Sequence, residues 1–370
     1  MKKLLGILLL VALFVTPLLA EGFNLGGALR YNYFYKTWDD DVKNRVGDFA
    51  FDTFRLNVSG EKAGITLNAE YRFYTEDFGG SYLHHGYLGY NFTENTEMQL
   101  GVHQVPFGLQ PYASHNFFFS MPYYVGLEDD YDAGIKFLHN MGDLSLAAAF
   151  YKNMEVPGAR NNRYSIDIVN NDPNDPIKAN EEVNQFNFRA AYNLGMAEIG
   201  ASAQYGSVYN AATEENGTQT AFAGHVNANY KRFNLKAEYI MYEIKPENGN
   251  GVDDSYVVMG SFGWPYNVAS KANIIVAGLS YSLPVEWGPI SNLTFYNDYS
   301  LMQKDEDNFE DSAMNVTGCM VTAGSVYAYI DYAMGQNHPW FGNNWGNGLA
   351  TGVQDADWEN RFNINIGYYF

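Results

Sequence analysis

Cysteine is almost missing from this 370-residue sequence: Cys319 stands alone, which excludes an intrachain disulfide as a brace for the fold. No cysteine stands at the end of the N-terminal apolar stretch, so a lipid-anchored lipoprotein is not expected either. Beyond that stretch no apolar run reaches the length of a spanning helix, which excludes a helical membrane protein. Basic residues are scarce, with 22 Lys and Arg against 42 Asp and Glu and a net charge of −20, a balance that argues against nucleic acid as a partner.

What is abundant points elsewhere. The opening MKKLLGILLLVALFVTPLLA has a basic start at Lys2 and Lys3, an apolar stretch from Leu4 to Leu19, and Ala20 at a cleavage position, the layout of a secretory signal peptide over residues 1–20. Removing it leaves 20 basic residues against 42 acidic ones, a net charge of −22, in a domain over residues 21–370. That domain is rich in Tyr, Phe and Gly, far above ordinary soluble usage.

A two-residue period runs through the mature chain. In ITLNAEYRFY, Ile65, Leu67, Ala69, Tyr71 and Phe73 share one face, and Thr66, Asn68, Glu70, Arg72 and Tyr74 the other. The same reading sets Leu25, Leu29, Tyr31, Tyr33 and Tyr35 against Arg30, Asn32 and Lys36, and Phe186, Phe188 and Tyr192 against Asn187 and Arg189. Phe362, Ile364, Ile366, Tyr368 and Phe370 form the greasy side of the last strand. A soluble sandwich would turn such faces into a core; a transmembrane barrel turns them to lipid and surrounds a lumen with the polar faces. The number of strands, the aromatics at strand ends and the alternation of short and long connections favour the barrel.

Short turns are expected at Glu61–Gly64, Thr93–Glu97, Asn140–Asp143, Asn193–Met196, Lys231–Asn234 and Thr322–Ser325, with long polar segments between them. The alternation breaks after Ile244 unless Ser255–Val268 joins Lys245–Gly251 in one external loop, which makes LPVEWGPIS a periplasmic connection. The fold class is then all-β, a transmembrane antiparallel barrel of about sixteen strands. The last strand would pair with the first, since a membrane interior penalises a free edge, and its terminal aromatic resembles an outer-membrane assembly signal. Strands begin almost at the mature N-terminus, so no energy-coupling plug is expected.

Face assignment sorts the charges. Arg30, Lys36, Arg55, Arg72, Lys136, Arg189, Lys231, Lys236 and Arg361 fall on the lumenal side, against the fewer acids Glu70, Glu238, Asp298 and Asp331. The remaining acids concentrate in loops, at Asp39–Asp41, Glu128–Asp132, Asp253–Asp254 and Asp305–Asp311. Basic walls and acidic loops imply a field across the bore that biases ion entry. Individual arginines can equally serve as structural partners, Arg72 with Glu70 for example. The segment over residues 108–130 is too apolar and aromatic to extend into water and is expected to fold inward as a constriction loop. There Phe117–Phe119 would anchor it to the wall and Glu128, Asp129 and Asp130 would face the basic side.

VHQVPFGLQPY, followed by LEDDYDAGIKF and LSLAAAFYKN, resembles the porin family that includes the phosphate-selective porins O and P. The resemblance covers most of the mature chain and implies a sixteen-stranded homotrimeric channel. In the phosphate-selective members lumenal arginines and lysines near the constriction select anions, and Arg55, Arg72, Lys136 and Arg189 occupy comparable strand positions. The internal loop departs from that pattern, having no Lys or Arg between Gly108 and Tyr131. Channels for short-chain amides or sugars fit the resemblance equally.

Other chemistry is weakly signalled. His84 and His85, as strand neighbours, should point to opposite faces and share no ion. Ser114, His115 and Asn116 have the residue types of an outer-membrane phospholipase, but adjacency in sequence makes no triad, and no enzyme is expected. No cofactor is implied, although the acidic loops could hold Ca²⁺ or bridge lipopolysaccharide through it; none matches an EF-hand spacing. The expectation is a passive, anion-preferring porin in the bacterial outer membrane, surrounded by lipid and lipopolysaccharide and passing small solutes. The alternative is a non-conducting scaffold barrel that binds envelope partners.

Overall fold

The computed structural model describes residues 22–158 and 161–370, so the expected leader lies outside the described residues. Strands alternate with turns along the whole length: β1 (Phe23–Lys36), β2 (Asp48–Lys62), β3 (Ile65–Phe73), β4 (Ser81–Thr93), β5 (Thr96–Gln104), β6 (Tyr131–Met141), β7 (Leu144–Met154), β8 (Asp167–Ile168), β9 (Asn180–Asn193) and β10 (Ala197–Asn210). The second half contributes β11 (Glu215–Tyr230), β12 (Phe233–Lys245), β13 (Tyr256–Ser261), β14 (Trp264–Ala269), β15 (Lys271–Trp287), β16 (Ile290–Lys304), β17 (Ser312–Ala323), β18 (Val326–Gln336) and β19 (Glu359–Tyr369). Sixteen of these close into one antiparallel barrel, while β8, β13 and β14 form a separate three-stranded sheet.

The alternating sequence explains which way the barrel faces. Ile65 is 49% exposed and Phe73 37%, and Leu88, Leu100, Phe186, Phe188, Leu279 and Ile366 share that outer surface. Thr53, Gln99, Asn187, Ser202, Asn363 and Asn365 point inward and are buried. An outward apolar band with polar groups inside suits lipid and would be unstable in water. Closure joins β1 to β19, with Ala28 opposite Tyr369 and Lys36 opposite Arg361. The seam is tight at Gly27, where a Cβ would lie 2.2 Å from the Arg55 carbonyl oxygen and 2.8 Å from the Phe370 ring.

Short connections lie at one end of the barrel and long ones at the other. The turn after β2 places both Ala63 and Gly64 at positive φ, as tight hairpins require. The LPVEWGPIS segment is mostly strand, with the chain reversing only between Trp287 and Ile290. Ser255–Val268 belongs to the long connection between β12 and β15, as the alternation demanded, and folds there as the β13–β14 hairpin. That hairpin lies over the mouth, where Tyr266 Oη donates to the Tyr124 carbonyl at 2.9 Å and Trp264 Nε1 to the Asp77 carbonyl at 2.8 Å.

Two departures from the simple alternation of faces shape the interior. A bulge in β4 pairs Glu70 with His85 and Tyr71 with Leu83, leaving His84 as the extra residue. Both histidines therefore point inward, with their Nδ1 atoms 2.7 Å apart, in contrast to the opposite faces expected of strand neighbours. The second departure is larger. The inner wall of β12 and β15–β17 is apolar at Ile240, Ile274, Val276, Met302, Met314 and Val316, all buried with Val105, Leu109, Met121 and Tyr124. On this arc the lumen is filled by folded loops instead of water, so the wall is a protein core.

Candidate functional site: a constricted bore

The connection between β5 and β6, residues 105–130, folds into the barrel. Its backbone polar groups are taken out of water and must find partners on the wall. Glu238 on β12 accepts from Leu109 N at 2.8 Å, and Ser202 Oγ on β10 from Gly108 N at 3.0 Å. Asp298 on β16 receives four donors from the loop: His115 N at 2.7 Å, His115 Nδ1 at 2.7 Å, Asn116 N at 3.1 Å and Asn116 Nδ2 at 2.8 Å. Ser300 Oγ accepts from Met121 N at 3.1 Å and Asp331 from Phe117 N at 3.4 Å. Lys236 Nζ donates to the carbonyls of Tyr112 and Ser114, both at 2.8 Å. Glu238, Asp298 and Asp331 are thus receptors for loop N–H groups.

Opposite the loop remains a cavity of about 610 Å³. Its wall comes from four adjacent strands, β19, β1, β2 and β3, which supply Arg361, Arg30 and Lys36, Asp52 and Arg55, and Arg72. Tyr112, Phe117, Phe118, Phe119 and Tyr123 of the loop line the other side. Arg55 lies directly across from Arg72, and Lys36 from Arg361. Like charges so placed destabilise a sheet, and the acids nearby offset only part of this. Arg30 Nε is 2.7 Å from Asp52 Oδ2, and Arg72 pairs with Glu70 Oε1. Arg55 reaches Glu70 only at 3.8 Å. Arg361 bonds Asn363 Oδ1 at 2.8 Å and stacks over Phe34 and Phe118. The bore therefore has a cationic wall facing an aromatic one.

Of the residues expected at the pore, Arg30, Arg55, Arg72, Lys236 and Arg361 line this cavity, and Lys36 joins them. Lys136 and Arg189 do not. Arg189 Nε holds the loop through the Gly108 carbonyl, and Lys136 Nζ binds the carbonyl of Gln104, the last residue of β5, both at 2.8 Å. Glu128, Asp129 and Asp130, expected to confront the basic wall, are buried and do not line the cavity; Asp129 alone is near that wall, joined to it through Tyr164, whose ring lies under the Arg72 guanidinium at 4.3 Å. Glu128 accepts from Ala113 N at 3.0 Å and Ser120 Oγ at 2.5 Å, and Asp129 from the Tyr131 and Tyr164 hydroxyls at 3.0 and 2.5 Å. A carboxylate brought inside needs such donors; the loop supplies those of Glu128, and tyrosines outside it supply those of Asp129. Of the expected anchors Phe117–Phe119, Phe117 meets the wall at Tyr329 of β18, 6.3 Å away, and at Arg30; Phe118 packs edge-on against Phe341 at 5.1 Å, and Phe119 stacks on Tyr123 at 4.2 Å. His115 is engaged at both ring nitrogens, by Asp298 at 2.7 Å and Asn234 Oδ1 at 2.6 Å, which are structural partners. The Asp39–Asp41 run caps and begins a short helix, Asp40–Asn44, through Asp39 and Val42 N, and gathers no metal-type cluster among the described residues.

Burial pushes the Glu128 carboxyl up to about 7 and that of Asp129 up to about 6. An ordinary glutamate, at 4.5, has already lost its proton over much of that range. Between these values the folded chain binds more protons than the unfolded one, so stability falls as pH rises through the window. The melting temperature of the folded barrel is expected to drop from about pH 5 to about pH 8. Glu128→Gln, which keeps an oxygen for the Ala113 N–H, should flatten that slope; an unchanged slope would contradict the assignment.

No family model matches the chain, and no curated protein sequence matches it. Solved structures do. An anion-selective porin from Comamonas acidovorans is 15% identical, with a TM-score of 0.63 over 94% of this chain and 99% of that one. OmpT, an outer membrane protein of Vibrio cholerae in a trimer form, is 16% identical with a TM-score of 0.59, covering 94% and 99%. OmpF of Salmonella typhi, in complex with daunomycin, is 11% identical with a TM-score of 0.63, covering 95% and 98%. This chain has the closed sixteen-stranded antiparallel fold of outer-membrane porins.

Proposed function

We propose that this chain is a passive outer-membrane channel for small hydrophilic solutes and that it prefers anions. The observation that carries the reading is the pairing of Arg55 with Arg72 and of Lys36 with Arg361 across neighbouring strands at the cavity wall. A sheet has no structural use for cations stacked in this way, whereas a low-dielectric bore uses them to attract anions. The similarity in fold to an anion-selective porin and to an outer membrane protein solved as a trimer supports the same reading, including a homotrimer set in lipid and lipopolysaccharide. Export would precede insertion, with the leader removed. The rings of Tyr112, Phe117 and Phe119 opposite the cations favour solutes that join an anionic group to an apolar body over bare phosphate.

Protein reconstituted in planar bilayers tests this. Stable conductance steps are expected, and under a KCl gradient the reversal potential should report chloride as the more permeant ion. A cation preference would refute the selectivity. Silence from a correctly folded barrel would refute the channel and favour a scaffold that binds envelope partners.

A further inference from the structure

Behind the constriction loop, on the side away from the bore, Asp130, Asp132 and Asp167 each present a carboxylate oxygen within 4.8 Å of the others, and all three are buried. Glu155 and Glu182 stand beside them. Arg163 Nη1 contacts Asp167 Oδ2 at 2.7 Å and Glu155 Oε2 at 3.5 Å. Glu182 accepts from Ile168 N at 2.7 Å and Gln219 Nε2 at 2.9 Å. Two oxygens are left over. Asp130 is 7% exposed and Asp132 2%, and the Oδ1 atom of each has no hydrogen-bond donor. The nearest donor to Asp132 Oδ2 is Gln185 Nε2 at 3.5 Å.

Carboxylates are acceptors only, so neighbouring buried ones cannot satisfy one another. They take up protons or share a cation. Oxygens coordinated to Ca²⁺ lie about 2.3–2.6 Å from the ion, so ligands on opposite sides are separated by roughly 5 Å. The spacing of the three aspartates falls within that limit. The donor set is all oxygen, without Cys or His, which disfavours zinc and copper. Several carboxylates from separate segments suit the variable geometry of Ca²⁺ better than the strict octahedron of Mg²⁺.

We propose that Asp130, Asp132 and Asp167 bind one Ca²⁺, with the Asp130 and Asp132 Oδ1 atoms as ligands. The three residues come from different parts of the fold: the end of the constriction loop, the start of β6, and β8. Since β8 pairs with β13 through Asp167 and Gly260, the ion joins the loop, the barrel wall and the sheet over the mouth. Burial and the neighbouring acids raise the Asp130 carboxyl well above the usual range when no cation is present, so binding would release protons and weaken in acid.

The test uses the full folded chain in lipopolysaccharide-free detergent, treated with EDTA and then titrated with Tb³⁺ under tyrosine excitation, since Tyr131 lies between two of the ligands. Saturable luminescence at one ion per chain is expected, displaced by Ca²⁺ at concentrations where Mg²⁺ has no effect. The melting temperature should rise with CaCl₂. Asp130→Asn and Asp132→Asn should each weaken binding on the order of tenfold or more, whereas Asp40→Asn at the exposed loop should not. Absence of saturable binding by the unsubstituted protein overturns the proposal even if the variants fail to fold. So does binding that survives both substitutions, which would place the ion on surface acids. A stability gain in Asp130→Asn with no response to Ca²⁺ would mean a shared proton and would overturn it too.

Discussion

Replacing Arg55 and Arg361 together by glutamate is expected to invert the ion preference of the channel. Arg55 is held from the nearest acid by 3.8 Å, and no carboxylate lies within ion-pair distance of Arg361 among the described residues, so neither guanidinium is closely neutralised. Each substitution exchanges a positive for a negative charge on the cavity wall. Arg55→Glu alone places an acid opposite Arg72 and should remove most of the proposed chloride preference. The double variant should favour potassium, a change on the order of tenfold in the permeability ratio. Reversal potentials measured in both directions of a KCl gradient decide it. The effect should shrink at high salt, because screening shortens the reach of the wall charges. Retained chloride preference in the double variant would mean that selectivity arises elsewhere.

Asp298→Ala should free the tip of the constriction loop. Its carboxylate accepts four hydrogen bonds from His115 and Asn116, in a place closed to water. An unsatisfied buried donor costs about 1–3 kcal/mol, so losing this acceptor makes the docked tip unfavourable. The loop would stay attached at its start, through Glu238 and Ser202, and the barrel would remain folded. Single-channel records are expected to show a larger and noisier conductance, and hydrogen exchange should accelerate at the His115 and Asn116 amides. Asp298→Asn, which keeps one acceptor oxygen, should fall between. Unchanged conductance and exchange in the alanine variant would show that this aspartate does not hold the loop.

The barrel was legible in the sequence because a single rule, the alternation of faces, sets most of it. The outward row from Ile65 to Phe73, the hairpin turn at Ala63–Gly64 and the pairing of the last strand with the first all follow from it. Even the removal of Ser255–Val268 from the barrel could be argued from the parity of the turns, although its hairpin could not. The rule breaks where one residue is inserted, and nothing local marks His84 as the bulge. It is also silent about the arc of wall against which an internal loop rests. Lys136 and Arg189 face inward like Arg55 and Arg72, yet the first two bind backbone carbonyls at the end of β5 and in the loop, and the last two face the bore. That division depends on the path of residues 105–130 through space. The pairing of Arg55 with Arg72 could have been found by counting back from the turn between β2 and β3. The apolar segments of β12, β15 and β16, greasy on both sides, were a visible sign that part of the interior is dry.

The acids that hold the constriction loop lie far downstream in the chain: Glu238, Asp298 and Asp331 follow their loop partners by 129, 183 and 214 residues. Contacts so remote in sequence form late. The loop's full set of anchors therefore exists only once β12, β16 and β18 have all joined the sheet, so the width of the bore depends on the second half of the chain as much as on the loop itself.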